Sequence, residues 1–479
     1  MTLPCAPRAP LRALICAIAL TAAWPAGAEE TAIAWKQAPG SRQTEMPDPI
    51  FQGKAMVYEL GRGNKKSVVL VHGLSQDGAK SWYGLANALK NQYHVVAFDL
   101  PGFGYSEKGN KLYTPDNYAA FIKQVVRKFT KGPVAMIGHS LGATLALRYA
   151  SQYPEDVDRL VLVDAIGILH RSVYMGFLAK VGLSWVNTYY PNRDGRYDNL
   201  EQWVRDSMGW LEAEPVETET LLANEQVRAK LLQADPAKIA ALALVLENFG
   251  ETIRDVRTPT LVVWGQNDRT SPLRVGKLLA SRLANARLEV LPASGHSPML
   301  DNAEVFNHLM QKELKRSSAQ FRRVTVEERY ALPLQVMASK DSQQREAECS
   351  KQNGVEFTGD YKVIDISGCT NVLIKNARIG ELTIEEGSTV TIENSNLRGL
   401  GLRIEDSSLT FTGGSIYGVE AIHTEDSEMD FAGVDLSGQD YAVEADDESV
   451  IFFSVSRVES PVGKVWVHGV KSFKDGEHY

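Results

Sequence analysis

The 479-residue chain is too long for one ordinary domain, and its 44% hydrophobic and 23% charged residues are those of a globular protein, which excludes a disordered or fibrous chain. Its formal net charge of −8 is uneven: residues 348–479 hold 24 Asp and Glu against 10 Lys and Arg, a net of −14, and the remainder carries +6 without a dense basic cluster. That balance argues against a nucleic-acid partner.

In chain order, Arg8 and Arg12 flank the start of an apolar run over residues 11–24, and Ala26-Gly27-Ala28 supplies small residues for cleavage. This is the layout of a secretory signal over residues 1–28, with an uncleaved N-terminal anchor as the alternative. The expected location is periplasmic or secreted. No later stretch reaches 18 consecutive apolar residues, so no transmembrane segment is expected in the mature protein. Cys5 and Cys16 leave with the signal. Cys349 and Cys369 remain, as a disulfide or as two separate buried thiols.

Residues 29–165 and 256–315 read as two parts of one α/β core. Short Val-rich runs at 68–71, 95–98, 134–137, 160–163 and 261–264 alternate with helically spaced segments such as 115–129 and 141–153. Continuous apolar runs suit strands buried on both faces, and strand–helix alternation predicts a doubly wound, mostly parallel sheet. In such sheets the active site lies beyond the carboxyl ends of the strands.

The central motif is Gly138-His139-Ser140-Leu141-Gly142, between an apolar run and a helical segment. Flanking glycines let a strand turn sharply into a helix, so that the serine hydroxyl projects beside the helix N-terminus. Ser140 is the expected nucleophile. Residues 166–255 then break the alternation, since they are far too many for one crossover. They read as a helical cap carrying Trp185, Tyr189, Tyr190, Trp203 and Trp210. Those aromatics either face substrate or pack the cap's own core.

Asp268 follows the 261–264 run in Gly265-Gln266-Asn267-Asp268 and is the expected acid of a triad, with Asp164 as its chief rival and Asp99, in a tight loop, less suited. His296, in Ser294-Gly295-His296-Ser297-Pro298, is the expected base, because serine, acid and histidine would then follow in that chain order. Backbone N–H groups of Leu74 and Leu141 are the expected oxyanion hole. No Cys/His metal spacing occurs, and neither metal nor cofactor is expected.

Residues 316–347 are polar and read as a linker. A repeat follows over 348–465, with 466–479 as a tail. Val372-x-Ile374, Val390-x-Ile392, Leu409-x-Phe411, Met429-x-Phe431 and Val450-x-Phe452 recur every 18 to 21 residues. Leu382-x-Ile384, Leu402-x-Ile404, Ala421-x-His423 and Tyr441-x-Val443 interleave with them. Two short strands per coil predict a parallel β-helix, against a β-sandwich of hairpins. Asn376, Asn394, Gly413 and Gly433 stand where each coil should turn with a left-handed residue. Glu385-Glu386, Glu405-Asp406, Glu425-Asp426 and Asp446-Asp447 should stack into an acidic column. Such a column is either solvated with raised pKa values or binds a hard cation.

Together His72-Gly73, the segment from Asp99 through Pro101, Gly102 and Gly104 to Ser106, Gly138-His-Ser-Leu-Gly142, Gly265-x-x-Asp268 and Gly295-His296 resemble the α/β-hydrolase family with a helical cap. That family includes esterases, monoacylglycerol-lipase-like enzymes, C–C bond hydrolases of aromatic ring-cleavage products and proline iminopeptidases. The resemblance covers about 65–315. Ser140 departs from the dehalogenases and epoxide hydrolases of the family, whose nucleophile is Asp, and Ala143 stands where many relatives have a second Gly. The resemblance implies acyl transfer to water through Ser140. A small-molecule carboxylic ester with a hydrophobic acyl or aryl group is the expected substrate. C–C bond hydrolysis, amide or peptide hydrolysis, and a binding or scaffold protein with an inactive hydrolase are the alternatives. For the repeat, self-association or packing and glycan or envelope binding remain open beside the cation.

Overall fold

The chain is described here from a computed structural model, which covers Trp35 and residues 38–170, 222–316 and 345–478 apart from 462 and 475. The expected signal, the five cap aromatics and most of the linker lie outside the described residues.

Eight strands form the first sheet: β1 (Arg42–Asp48), β2 (Gly53–Leu60), β3 (Ser67–Val71), β4 (His94–Phe98), β5 (Val134–His139), β6 (Val157–Val163), β7 (Thr260–Gly265) and β8 (Ala286–Leu291), in the order β1-β2-β4-β3-β5-β6-β7-β8. β1 and β2 pair antiparallel, as do β2 and β4, and every later pair is parallel. Every residue of β3, β4, β5 and β7 is buried, as expected for strands covered on both faces. Alternate side chains feed different cores: Val69, Met136, Leu162 and Val262 enter one, and Val68, Ile137, Val161 and Val263 the other.

The covering helices are α1 (Tyr83–Leu89), α2 (Pro115–Phe129), α3 (Leu141–Gln152), α4 (Pro236–Val245), α5 (Gly250–Asp255), α6 (Leu273–Arg282) and α7 (Ala303–Lys315). α2 shows why they form where they do. Thr114 caps it by accepting from Asn117 N, Pro115 occupies the first turn, and Tyr118, Phe121, Ile122 and Val125 fall on the buried face.

The second sheet comprises β9 (Glu346–Ser350), β10 (Glu356–Ser367), β11 (Val372–Glu385), β12 (Thr389–Glu405), β13 (Ser408–Glu425), β14 (Glu428–Ala445), β15 (Ser449–Ser460), β16 (Gly463–Phe473) and the short β17 (Glu477–His478), which pairs antiparallel with β14. From β9 to β15 each strand pairs parallel with the next. Only residues 406–407 separate β12 from β13, and only 426–427 separate β13 from β14. A link that short cannot carry a parallel crossover. Each long strand therefore bends round on itself and returns one layer on, as the repeat predicts. The bends include positive-φ residues at Asn376, Asn394, Gly413 and Gly433, the four expected, and also at Val455.

Three details depart from the repeat as read. Ile451 and Phe453, not Val450 and Phe452, stack on Met429 and Phe431. In the second series Ile422 and Thr424, then Val443 and Ala445, continue the line of Leu402 and Ile404, in place of the pairs at 421/423 and 441/443. A slip of one residue reverses every side chain's face, so His423 lies outside the coil's core. Buried Thr424 hid the register; its hydroxyl is satisfied by Ser449 Oγ at 2.9 Å. Lastly, the stretch read as a tail forms most of β16, which pairs antiparallel with β15. An antiparallel strand covers the edge that an open coil would expose.

Cys349 and Cys369 are joined as a disulfide. Inside the turns, Ser388, Ser407, Ser427 and Ser449 form a ladder: each Oγ accepts the backbone N–H of Cys369, Ser388, Ser407 and Ser427 respectively, at 3.0–3.2 Å. The acidic column also forms. Glu405 pairs with Glu425, and burial together with neighbouring carboxylates raises the Glu425 pKa, while Asp447 foremost raises that of Asp426.

The coil packs on the α/β half. Arg274 of α6 donates to Asp430 Oδ2 at 2.6 Å, to Asp430 O at 2.9 Å, to Phe411 O at 3.1 Å and to Thr412 Oγ1. Arg282 donates to Gly433 O. Ala432 and Val455 of the coil belong to the same buried cluster as Leu278 and Ile253. Trp466 of β16 lies over Gly250, where an added Cβ would come within 2.4 Å of the indole. His468 Nε2 is 3.1 Å from Val245 O and 3.2 Å from His170 Nδ1, so one side chain of β16 meets both flanks of the cap segment.

Candidate active site

Ser140 sits between the buried end of β5 and the first turn of α3, at φ 55° and ψ −121°, a conformation rare for a residue with a Cβ. The turn exists because its flanks lack side chains. A Cβ on Gly138 would lie 2.2 Å from Gly142 O, and one on Gly142 would lie 2.3 Å from Val71 O. The loop after β3 comes equally close, since a Cβ on Gly73 would be 2.8 Å from Ser140 Cβ. Leu74, in the loop after β3, and Leu141, at the start of α3, thus flank the serine.

The three expected triad residues meet. His296 Nε2 is 2.9 Å from Ser140 Oγ, and His296 Nδ1 is 2.8 Å from Asp268 Oδ2. Asp268 ends the turn after β7, and His296 lies in the loop after β8. The Asp268 side chain is fully buried and that of His296 is partly exposed. Asp268 Oδ1 accepts from Thr270 N at 2.7 Å and Ser271 N at 3.0 Å. Burial alone would push this carboxyl up, but the hydrogen bond and charge of His296 and those two N–H groups together hold it below the ordinary carboxylate range. An imidazole fixed by a carboxylate on one nitrogen can take a proton from a hydroxyl on the other.

Of the other two acids weighed, Asp99 is occupied with structure. It accepts from Ala79 N at 2.7 Å, Tyr105 N at 2.8 Å and Tyr58 Oη at 3.0 Å. Asp164, at the end of β6, lies within hydrogen-bonding reach of Asp268 and accepts from Gly265 N at 2.8 Å. Burial and then the Asp268 charge raise its pKa to about 9, against one backbone N–H that lowers it.

Two supporting histidines stood in the quoted motifs but were given no role of their own. His139 Nε2 donates to His296 O at 2.6 Å and so holds the backbone of the base. Burial, then the charge of His296, lowers its pKa to about 3, so it stays neutral. His72 donates from Nδ1 to Gly73 O at 2.7 Å and accepts Leu100 N at Nε2 at 2.8 Å, which fixes the loop carrying Leu74. Their only sequence signal was position, beside a nucleophile and after a strand.

A sequence model of the α/β hydrolase fold matches residues 66–303. The 2-hydroxy-6-oxononadienedioate/2-hydroxy-6-oxononatrienedioate hydrolase of Escherichia coli O81 (strain ED1a) is 28% identical over 266 residues, covering 54% of this chain and 90% of the relative. The enzyme of the same name from Burkholderia vietnamiensis (strain G4 / LMG 22486) is 29% identical over 270 residues, covering 54% and 90%. Among solved structures, an esterase from Exiguobacterium antarcticum aligns at a TM-score of 0.43 and 19% identity, over 57% of this chain and 100% of that one. With a nucleophile-type turn on a parallel sheet and a family match over the same stretch, residues 66–303 have the α/β-hydrolase fold.

Proposed function

We propose that this chain is a serine hydrolase that cleaves a carboxylic ester by way of an acyl-enzyme on Ser140. The observation that carries the reading is the bridge made by His296, 2.9 Å from Ser140 Oγ and 2.8 Å from Asp268 Oδ2. His296 takes the Ser140 proton as the oxygen attacks the carbonyl carbon. The backbone N–H groups of Leu74 and Leu141 stabilise the oxyanion. The alcohol leaves with the proton from His296, and water then attacks the acyl-enzyme with His296 again as base.

A second reading, C–C bond hydrolysis of a ring-cleavage product, is favoured by the names of the relatives at 28–29% identity. Their named substrates are dicarboxylates, which call for cationic side chains. Cleavage of an uncharged ester makes no such demand on the site. Hydrolysis of p-nitrophenyl butyrate should be lost, by at least about 10³-fold, in Ser140→Ala, and the wild type should react with a fluorophosphonate at Ser140. Full ester activity in the Ala variant would overturn the triad. Turnover of a dienoate ring-cleavage product with no ester cleavage would move the assignment to the second reading.

Export to the periplasm or medium belongs to the same proposal. Its supports are the signal-like first 28 residues and the Cys349–Cys369 bridge, which suits an oxidising compartment.

A further inference from the structure

Ser140, His296 and Asp268 leave one buried acid of the site without a task. Asp164 is fully buried. Its Oδ1 accepts from Gly265 N, and its Oδ2 is buried with no donor to it among the described residues. The group it does face is the Asp268 carboxylate, itself an acceptor already engaged by His296, Thr270 and Ser271. Asp301 is the next acid in its surroundings, and His296 stands behind Asp268. Two carboxyl groups in contact, out of water, cannot both be ionised. The proton must rest on the one with fewer donors, because every N–H that points at a carboxylate favours its charged form. Among the described residues Asp268 takes three donors and Asp164 takes one.

We propose that Asp164 is a positioning residue whose carboxyl keeps its proton on Oδ2 and donates it to the Asp268 carboxylate, fixing that carboxylate against His296. The proposal rests on the triad reading above. It also accounts for the backbone: Asp164 is held at φ 45°, a conformation Asp and Asn tolerate better than other residues with a Cβ. The donated hydrogen bond leaves the negative charge on Asp268, where it stabilises the imidazolium that forms as Ser140 attacks. The raised pKa of Asp164, about 9, agrees with the geometry.

The test compares full-length wild type with Asp164→Asn and Asp164→Ala. Asn keeps an oxygen for Gly265 N, a donor for Asp268 and tolerance of the backbone angle, but has nothing to ionise. On p-nitrophenyl butyrate at neutral pH, Asn should stay within about threefold of wild type, while Ala should lose roughly ten- to a hundredfold in kcat with KM little changed. The wild type should lose activity above about pH 9 as Asp164 ionises, and Asn should not.

A readout independent of activity is the melting temperature. A carboxyl whose folded pKa is raised contributes stability that is complete below its unfolded pKa and is lost as pH rises through the folded value. The wild type should therefore fall progressively behind Asp164→Asn from about pH 5 to about pH 9 and no further beyond. An Asn variant as impaired as Ala, or a gap in melting temperature that does not change with pH, overturns the proposal. If the wild type cleaves no ester, the melting series still decides the protonation, so the two readings fail separately.

Discussion

Asp268 and Asp164 lie against each other yet are shifted in opposite directions, and the sign follows from how many donors each receives. Asp268, held low, contributes stability that is present above its unfolded pKa and is lost as pH falls through the folded value. Asp268→Asn should therefore flatten the loss of melting temperature on the acid side. Its larger effect is on rate. An amide donating to Nδ1 puts the imidazole proton on Nε2, where it can no longer accept from Ser140. Near neutral pH kcat should fall on the order of 10³–10⁴-fold, read in a pH profile of ester hydrolysis. The three residues brought together were legible in the sequence because each follows an apolar strand and lies within three positions of a glycine. The pairing of Asp164 with Asp268 was not, because 104 positions separate them and only adjacent strand ends bring them together. Asp164 could be seen as a rival to Asp268 but not as its neighbour.

Among the elements, α6 links catalysis to the coil. It begins five residues after Asp268, and its Arg274 lies half-buried against β13 and β14. Arg274→Ala removes four hydrogen bonds and leaves the Asp430 carboxylate buried without its cation, at a cost of about 3–5 kcal/mol. The expected outcome is a lower melting temperature with faster hydrogen exchange over residues 268–282. Unchanged exchange there would mean that the coil does not brace the acid's loop. The coil itself was legible through its period and its left-handed turns. Where the apolar line passed through Thr424, or where β14 and β15 are joined by a longer turn, pattern alone chose the wrong face. The serine ladder escaped notice for the same reason: its residues are polar, and their burial depends on hydrogen bonds between layers that no linear window contains.

At the scale of the whole molecule, the hydrolytic half and the coil share one apolar cluster, through Ala432 and Val455. Gly250 and Trp466 show how closely they fit. Gly250→Ala should lower the melting temperature of the full chain, since Cβ and indole cannot occupy the same space. In the Trp466→Ala background the same change should be neutral or slightly stabilising, because alanine favours a helix over glycine by about 1 kcal/mol. Equal costs in both backgrounds would show that the glycine serves something other than the indole. The missing methyl group at the start of α5 is thus an imprint of the appended coil on the enzyme beneath it. A descendant that lost the coil would be released from that constraint, so the residue at this one helix start should tell lineages that have kept the appendage from lineages that have shed it, even where only the hydrolytic half has been sequenced.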